Sequence, residues 1–144
     1  MKKEKIILVS GYFDPIHIGH IEYLRLSKRL GDKLVVILNN DLQAKLKKGR
    51  AFMPLRERKE ILKAIKFVDE VFVSIDKNKS VCKSIRAIAE KYLGNEIIFA
   101  KGGDRFSSEI PEAKICRELN IDIVDRLGKK IQSSSNLTGL KEIK

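Results

Sequence analysis

The sequence predicts an α/β fold in which a doubly wound, parallel sheet of five strands is covered by helices on both faces. Short apolar runs alternate with segments of helical periodicity along the whole chain. The runs are continuously apolar, which is typical of strands that are buried on both faces. The chain has 144 residues, of which 43% are hydrophobic, and this suits one domain over residues 1–144.

Five apolar runs are expected to form the strands. They lie at residues 6–9, 34–38, 71–73, 97–100 and 121–124. Each run is short, and most are rich in β-branched or aromatic residues, which favours strands over helices.

Helical patterns fill the gaps between these runs. The clearest is an apolar stripe with spacing i, i+4, i+7, i+11 that ends at a glycine: Val81, Ile85, Ile88, Tyr92 and Gly94. Pro54 and Pro111 suit the first turns of two more helices, and a further helix runs from near Gly19 to Gly31. Right-handed crossovers of this kind build a Rossmann-like sheet, in which ligands bind beyond the carboxyl ends of the strands.

Composition narrows the class of function. The net charge of +11 favours anionic partners, either nucleic acid or phosphate-rich metabolites. The chain has six Phe and three Tyr, and most fall in predicted strands or helix faces, which argues against a non-catalytic module that binds nucleic acid by base stacking. Cys82 and Cys116 lack a paired ligand pattern and are expected to be reduced thiols. We expect a cytoplasmic protein with no membrane segment, because no apolar run could span a bilayer and no signal peptide is evident.

The segment after the first strand, residues 11–20 (GYFDPIHIGH), carries the strongest functional signal. His17 and His20 are the only histidines of the chain, and they are three residues apart at a helix start, so both rings can face one way. Gly19 leaves room for a phosphate at the helix N-terminus. Two imidazole donors there suit a phosphorus centre whose oxygens gain charge in the transition state. The alternative is a loop with two ordinary surface histidines.

This segment resembles the signature of the nucleotidyltransferases with a paired-histidine motif, among them glycerol-3-phosphate cytidylyltransferases and heptose-phosphate adenylyltransferases. The resemblance extends from residue 6 to about residue 140. It implies that His17 and His20 bind and stabilise the α- and β-phosphates, and that Asp14 orders the loop or the substrate. The other motif residues are expected to contribute to nucleotide binding: Gly11, Tyr12, Phe13 and Gly19.

The segment after the second strand, residues 39–50, is predicted to be a basic loop. On composition alone it could be a solvated surface loop. In the similar enzymes a lysine of this loop neutralises the triphosphate, and Lys45 and Lys48 match that spacing best, with Lys47 as the alternative.

Arg58 interrupts the apolar face of its own helix, where a charge is rarely placed without a partner. Two explanations stay open. Arg58 could clamp a phosphate, as the resemblance to heptose-type enzymes implies for residues 53–58, or it could pair with a carboxylate at the edge of the core, such as Asp69.

Two further segments follow later strands. After the fourth strand come Lys101, Gly102, Gly103 and Asp104, where the glycines permit close backbone approach and the aspartate could bind a hydroxyl or a metal-bound water. A plain turn is the alternative. Near the end of the chain, hydroxyls precede a helix and are expected to hold the β- and γ-phosphates by resemblance, or only to cap that helix: Ser133, Ser134 and Ser135.

The resemblance implies a single nucleotidyltransferase domain that transfers AMP from ATP to a phosphorylated sugar or polyol, similar to heptose 1-phosphate, and releases pyrophosphate. The alternative is CTP-dependent transfer to glycerol 3-phosphate or a similar phospho-alcohol. Mg²⁺ is expected to arrive with the triphosphate, because no protein cage for a metal is visible in the sequence. Dimers are common among similar enzymes, so we expect a homodimer. We expect no binding to nucleic acid or to a membrane.

Overall fold

The structure is a computed structural model and describes residues 3–102 and 110–127. All five predicted strands form, and they pair in parallel in one sheet of order β3-β2-β1-β4-β5. Their bounds are β1 (Lys5–Gly11), β2 (Lys33–Leu38), β3 (Glu70–Val73), β4 (Glu96–Gly102) and β5 (Asp122–Leu127). The predicted α/β class and the parallel, Rossmann-like sheet are therefore confirmed.

Helices connect the strands in the described part of the chain. Their bounds are α1 (Ile18–Lys28), α2 (Asp41–Lys48), α3 (Leu55–Lys63), α4 (Cys82–Lys91) and α5 (Glu112–Glu118). Pro54 and Pro111 stand immediately before α3 and α5, as their sequence positions predict.

The prediction of a basic loop over 39–50 is wrong for residues 41–48, which form α2. The helix begins with a capping box, because the Asn40 side chain accepts from the Gln43 amide at 2.8 Å and the Gln43 side chain accepts from the Asn40 amide at 3.0 Å. It ends at Gly49, whose φ of 87° is the left-handed conformation that terminates many helices. The capping box and Gly49 thus define the two ends of this helix. It has no buried apolar stripe, and its Leu42 and Leu46 are exposed.

Two apolar layers lie on opposite faces of the sheet. On β1, Ile6 and Leu8 pack into one layer together with buried side chains of α4 and α5. Ile7 and Val9 pack into the other layer, which contains Leu24 of α1. Burial on both faces makes the sheet doubly wound and explains why its central strands are continuously apolar.

The strand order reverses beside β1, so the carboxyl ends of β1 and β4 flank a crevice of the kind in which such folds bind ligands. Helix α1 lies at this point, and the Tyr23 hydroxyl donates to the Ala100 carbonyl of β4 at 2.5 Å.

Among the helices within 3–102 and 110–127, none has the length and apolar character required to cross a membrane.

Candidate active site

The paired-histidine segment connects the carboxyl end of β1 to the first turn of α1. Phe13 has φ of 49° and is 2% exposed, so its ring turns into the protein. A Cβ at Gly11 would lie only 2.9 Å from that ring, which explains the need for glycine. On its other side the Phe13 ring lies against the His20 ring, with 4.8 Å between centroids.

Both histidines cap the helix that follows them. The Gly19 amide donates to Nδ1 of His17 at 3.1 Å, and the His17 amide donates to Nδ1 of His20 at 3.1 Å. The two rings stack with centroids 3.8 Å apart and planes 24° apart. Each imidazole is thereby fixed by a hydrogen bond to the backbone of the α1 N-terminus.

Both histidines favour the neutral form. Burial lowers the pKa of His17 below its ordinary value. Burial lowers the pKa of His20 to about 3, and the charge of Lys48, together with that of His17 whenever His17 is protonated, acts in the same direction. Since Nδ1 of each ring accepts a backbone amide proton, the single ring proton lies on Nε2. The pair thus offers two neutral Nε2–H donors at the positive end of a helix dipole.

The lysines of α2 differ in their relation to this pair. Lys48 is close enough for its charge to act on His20. The ammonium group of Lys47 lies 4.6 Å from the centre of the Tyr12 ring. Lys45 is exposed on the same helix. Their roles toward a triphosphate stay predictions, and the charge of Lys48 is the one that lowers the pKa of His20.

Arg58 is buried and bound to protein atoms. Its Nη2 forms an ion pair with Asp41 Oδ1 at 2.6 Å, so Asp41 is its partner. Asp69 instead pairs with Lys28 at 2.5 Å, which makes the expectation of an Arg58–Asp69 pair wrong. The carboxylate that pairs with Arg58 is Asp41, because the fold brings the start of α2 to Arg58. A phosphate contact by Arg58 stays a prediction.

Asp14 is 1% exposed and orders a neighbouring segment. Its Oδ2 accepts from the Phe52 amide at 2.8 Å and its Oδ1 from the Met53 amide at 2.6 Å. Asp14 therefore ties the histidine segment to the chain that leads into α3. This is loop ordering, one of the two roles that the resemblance implies for this residue, and a role toward substrate stays a prediction.

The remaining predicted residues divide into two groups. Tyr12 and Gly19 lie in the histidine segment with the residues above, and Lys101 and Gly102 end β4 on the other side of the strand-order reversal. The second group lies outside the described residues: Gly103, Asp104, Ser133, Ser134 and Ser135.

Sequence reasoning missed an amide network beside the site. The Gln43 side chain is fully buried and donates to the carbonyls of Asn78 and Ser80, at 2.7 and 2.8 Å. Asn40 donates to the carbonyls of Ser74 and Asp76, both at 3.0 Å. These bonds fix the start of α2 against the loop that follows β3. The sequence signal was the pair Asn40 and Gln43 at capping-box spacing.

A metal centre built by the protein would need several ligating side chains in one place. Within 3–102 and 110–127, no three His, Cys, Asp or Glu side chains lie close enough together to hold an ion. Near the histidines, both Asp14 oxygens accept backbone amides, and Asp41 accepts from Arg58 and from the Leu55 amide. These carboxylates are engaged within the protein, so the described residues do not themselves form a magnesium cage.

Comparison with known proteins agrees with this architecture. Residues 8–136 match the family model described as cytidylyltransferase-like. The FAD synthase of Thermococcus kodakarensis is 46% identical over 74 residues, which cover 50% of each chain. The bifunctional protein HldE of Citrobacter koseri is 32% identical over 146 residues, covering 92% of this chain and 29% of HldE. The match thus spans about half the length of the FAD synthase and less than a third of HldE.

A solved structure shares the fold at nearly full length. The lipopolysaccharide core biosynthesis protein from Thermoplasma volcanium superposes with a TM-score of 0.66 and 25% identity, over 87% of this chain and 98% of that one. Since the family match covers most of the sequence, the chain belongs to the cytidylyltransferase-like family, which confirms the predicted class of nucleotidyltransferase.

Proposed function

We propose that this protein transfers the adenylyl group of ATP to the phosphate of a small phosphorylated acceptor and releases pyrophosphate. The observation that carries the proposal is the pair of neutral Nε2–H donors of His17 and His20 above the N-terminus of α1. Donors held in this way act on phosphate oxygens without reorganising during the reaction.

In the proposed reaction, an oxygen of the acceptor phosphate attacks the α-phosphorus of ATP in line. A bond forms between that oxygen and the α-phosphorus, and the bond from the α-phosphorus to the bridging oxygen of the β-phosphate breaks. That oxygen leaves with the bond electrons as part of pyrophosphate. Such transfers need positioning and charge stabilisation rather than a covalent enzyme intermediate.

This chain's residues would divide the work. His17 and His20 would donate to oxygens that gain negative charge, and neutral donors can do so without binding the ground-state anion as tightly as cations would. Lys48, which already interacts with His20, would offset the charge of the triphosphate. A magnesium ion bound to the triphosphate would supply further charge neutralisation.

For the nucleotide, we propose ATP over CTP. The residues that follow β4 and those around Asn39 and Pro54 resemble the heptose-type adenylyltransferases. The name FAD synthase, carried by a relative that is 46% identical over half of this chain, supports ATP as well, because FAD contains an AMP group.

The first candidate acceptor is a sugar 1-phosphate or a similar phosphorylated polyol. FMN is the second candidate, because FAD consists of FMN joined to AMP through their phosphates, and two proteins named FAD synthase are 46% identical to about half of this chain. Two exposed apolar side chains support it: Phe52, whose amide donates to Asp14, is 49% exposed, and Leu46 of α2 is 40% exposed. A flavin ring offers more apolar area to such side chains than a sugar does.

The homodimer and the cytoplasmic location belong to the same proposal. The homodimer is supported by the resemblance alone, and the cytoplasmic location by the solutes that such an enzyme would use.

The direct experiment is a matrix of two nucleotides and three acceptors. ATP or CTP is supplied with Mg²⁺ and a sugar 1-phosphate, glycerol 3-phosphate or FMN, and pyrophosphate release is followed. We expect release with ATP and one of the acceptors. A clear preference for CTP would overturn the adenylyl assignment, and no release from any of the six combinations would contradict the proposed function.

A further inference from the structure

Arg58 buries its guanidinium group completely, with 0% side-chain exposure. Its Nε donates to the Met53 carbonyl at 2.9 Å, and its Nη2 donates to Asp41 at 2.6 Å. Its Nη1 donates to the carbonyls of Tyr12 and Asn39, at 2.9 and 2.7 Å. Four of its five N–H groups are thus directed at named protein atoms. Burial of a charge is costly, and these four hydrogen bonds offset that cost.

The two carbonyls at Nη1 belong to the ends of neighbouring strands. Tyr12 follows β1 and Asn39 follows β2, and a backbone bond from the Asn39 amide to the Gly11 carbonyl at 2.9 Å continues that junction. Arg58 therefore joins the carboxyl ends of β1 and β2 from within α3. Segment 52–53 is fixed from the other side by Asp14, which accepts both of its amides.

A short path leads from this junction to the histidine pair. The residue after Tyr12 is Phe13, whose left-handed backbone turns its buried ring toward His20 at 4.8 Å. The ring is confined by Gly11, where no side chain fits. Because packed rings shift together, movement of the Tyr12 carbonyl would move Phe13 and with it the imidazole of His20.

We propose that Arg58 is a positioning residue that sets the orientation of His20 through the Tyr12 carbonyl and the Phe13 ring, rather than a clamp on substrate phosphate. Its kinetic consequence depends on the proposed function, whereas its structural consequence does not. Displacement of a reacting group by about 1 Å can lower turnover by about 100-fold.

Substitution of Asp41 distinguishes the two roles, because only a phosphate clamp predicts a higher affinity for ATP. If Arg58 bound phosphate, Asp41→Asn would remove a competing anion, and ATP would bind more tightly. If Arg58 positions His20, Asp41→Asn weakens the junction, so turnover falls and ATP affinity does not rise. Arg58→Lys keeps the charge but loses the planar set of donors, so we expect turnover to fall at least about tenfold. Arg56→Lys is the matched control, because Arg56 is exposed two residues earlier on α3.

The measurement that does not depend on an acceptor is nuclear magnetic resonance of the imidazoles. The chain has only two histidines, so their ring signals can be resolved and assigned by substituting each in turn. We expect the His20 ring signals to shift in Arg58→Lys and Asp41→Asn, and to stay unchanged in Arg56→Lys. For each variant, calorimetry measures the affinity for ATP, and thermal denaturation measures the loss of folded protein.

Each outcome decides the proposal. Unchanged His20 signals in both the Arg58→Lys and the Asp41→Asn protein would overturn it, as would tighter ATP binding by Asp41→Asn. Loss of turnover only in proportion to loss of folded protein would reduce Arg58 to a stabilising role. If Arg58→Lys does not fold, Asp41→Asn carries the test alone. If the wild type transfers nothing, the proposed function fails, while the ring signals and ATP affinity still decide the role of Arg58.

Discussion

At the residue scale, the two histidines have a double task. Each ring uses Nδ1 to accept a backbone amide of the first turn of α1, which leaves Nε2–H for a ligand. The residues proposed to act on phosphate are therefore also the residues that begin the helix. Substitution by alanine would remove both tasks at once, so informative variants must preserve the cap.

Acidification provides a test of the neutral pair. His20 has a pKa of about 3 in the folded protein and about 6.5 in an unfolded chain. Between these values the unfolded chain binds more protons, so the free energy of unfolding falls as the pH drops below about 6.5. His20→Gln does not titrate, and glutamine at this position can still accept the His17 amide as in an ordinary capping box.

We therefore expect the wild type to lose on the order of 1–2 kcal/mol more stability than His20→Gln when the pH is lowered from 7.5 to 5. Urea denaturation at the two pH values measures this difference. Equal losses in the two proteins would mean that His20 is not held neutral by the fold.

At the element scale, α2 brings lysines toward the histidines, and Gly49 terminates it with φ of 87°. Gly49→Ala places a side chain in the left-handed region, which costs about 1 kcal/mol, and the last turn with Lys47 and Lys48 should fray. We expect lower stability and a higher KM for ATP. Gly94 is the control, because it has φ of 92° and, apart from Gly94 itself and its two chain neighbours, no heavy atom of the described residues lies within 4 Å of the position that a Cβ would take there. Gly94→Ala should cost similar stability and leave KM unchanged; an equal rise in both variants would contradict a role for α2.

The contact between α1 and β4 also makes a prediction. The Tyr23 hydroxyl donates to the Ala100 carbonyl at 2.5 Å, and burial raises the pKa of this phenol. Tyr23→Phe should lower the free energy of unfolding by about 1–3 kcal/mol, because a buried carbonyl loses a donor. Chemical denaturation measures the change. A phenylalanine variant as stable as the wild type would show that this bond does not join helix to sheet.

The elements differ in how far sequence could predict them. Buried strands such as β2 carry their signature locally, because burial on both faces requires a continuous apolar run. Helix α2 lies at the surface and lacks a buried apolar stripe, so only the capping residues Asn40 and Gln43 indicated it.

Arg58 illustrates a different limit: its partners Tyr12, Asn39 and Asp41 are 46, 19 and 17 residues away. Sequence reveals a misplaced charge, but only the fold brings its partners together.

At the scale of the whole molecule, strand order sets the site. Because β1 lies between β2 and β4, the histidine segment, the start of α2 and the end of β4 meet at one edge of the sheet. The sequence places chemistry-bearing residues after β1, β2 and β4, so parallel pairing puts them at the same edge and the strand order makes them neighbours. The net charge of +11 then favours approach of an anionic substrate to the molecule.

The central claim is that the two neutral imidazoles at this edge of the sheet stabilise nucleotidyl transfer. The most direct test is to measure pyrophosphate release by variants that preserve the helix cap. His17→Asn and His20→Gln each retain an acceptor for the helix amides and remove the imidazole Nε2–H. We predict that both fold with nearly wild-type stability at pH 7.5, bind ATP, and release pyrophosphate about 10²–10³-fold more slowly than the wild type under saturating substrates. Near-wild-type release by either folded variant would contradict the account.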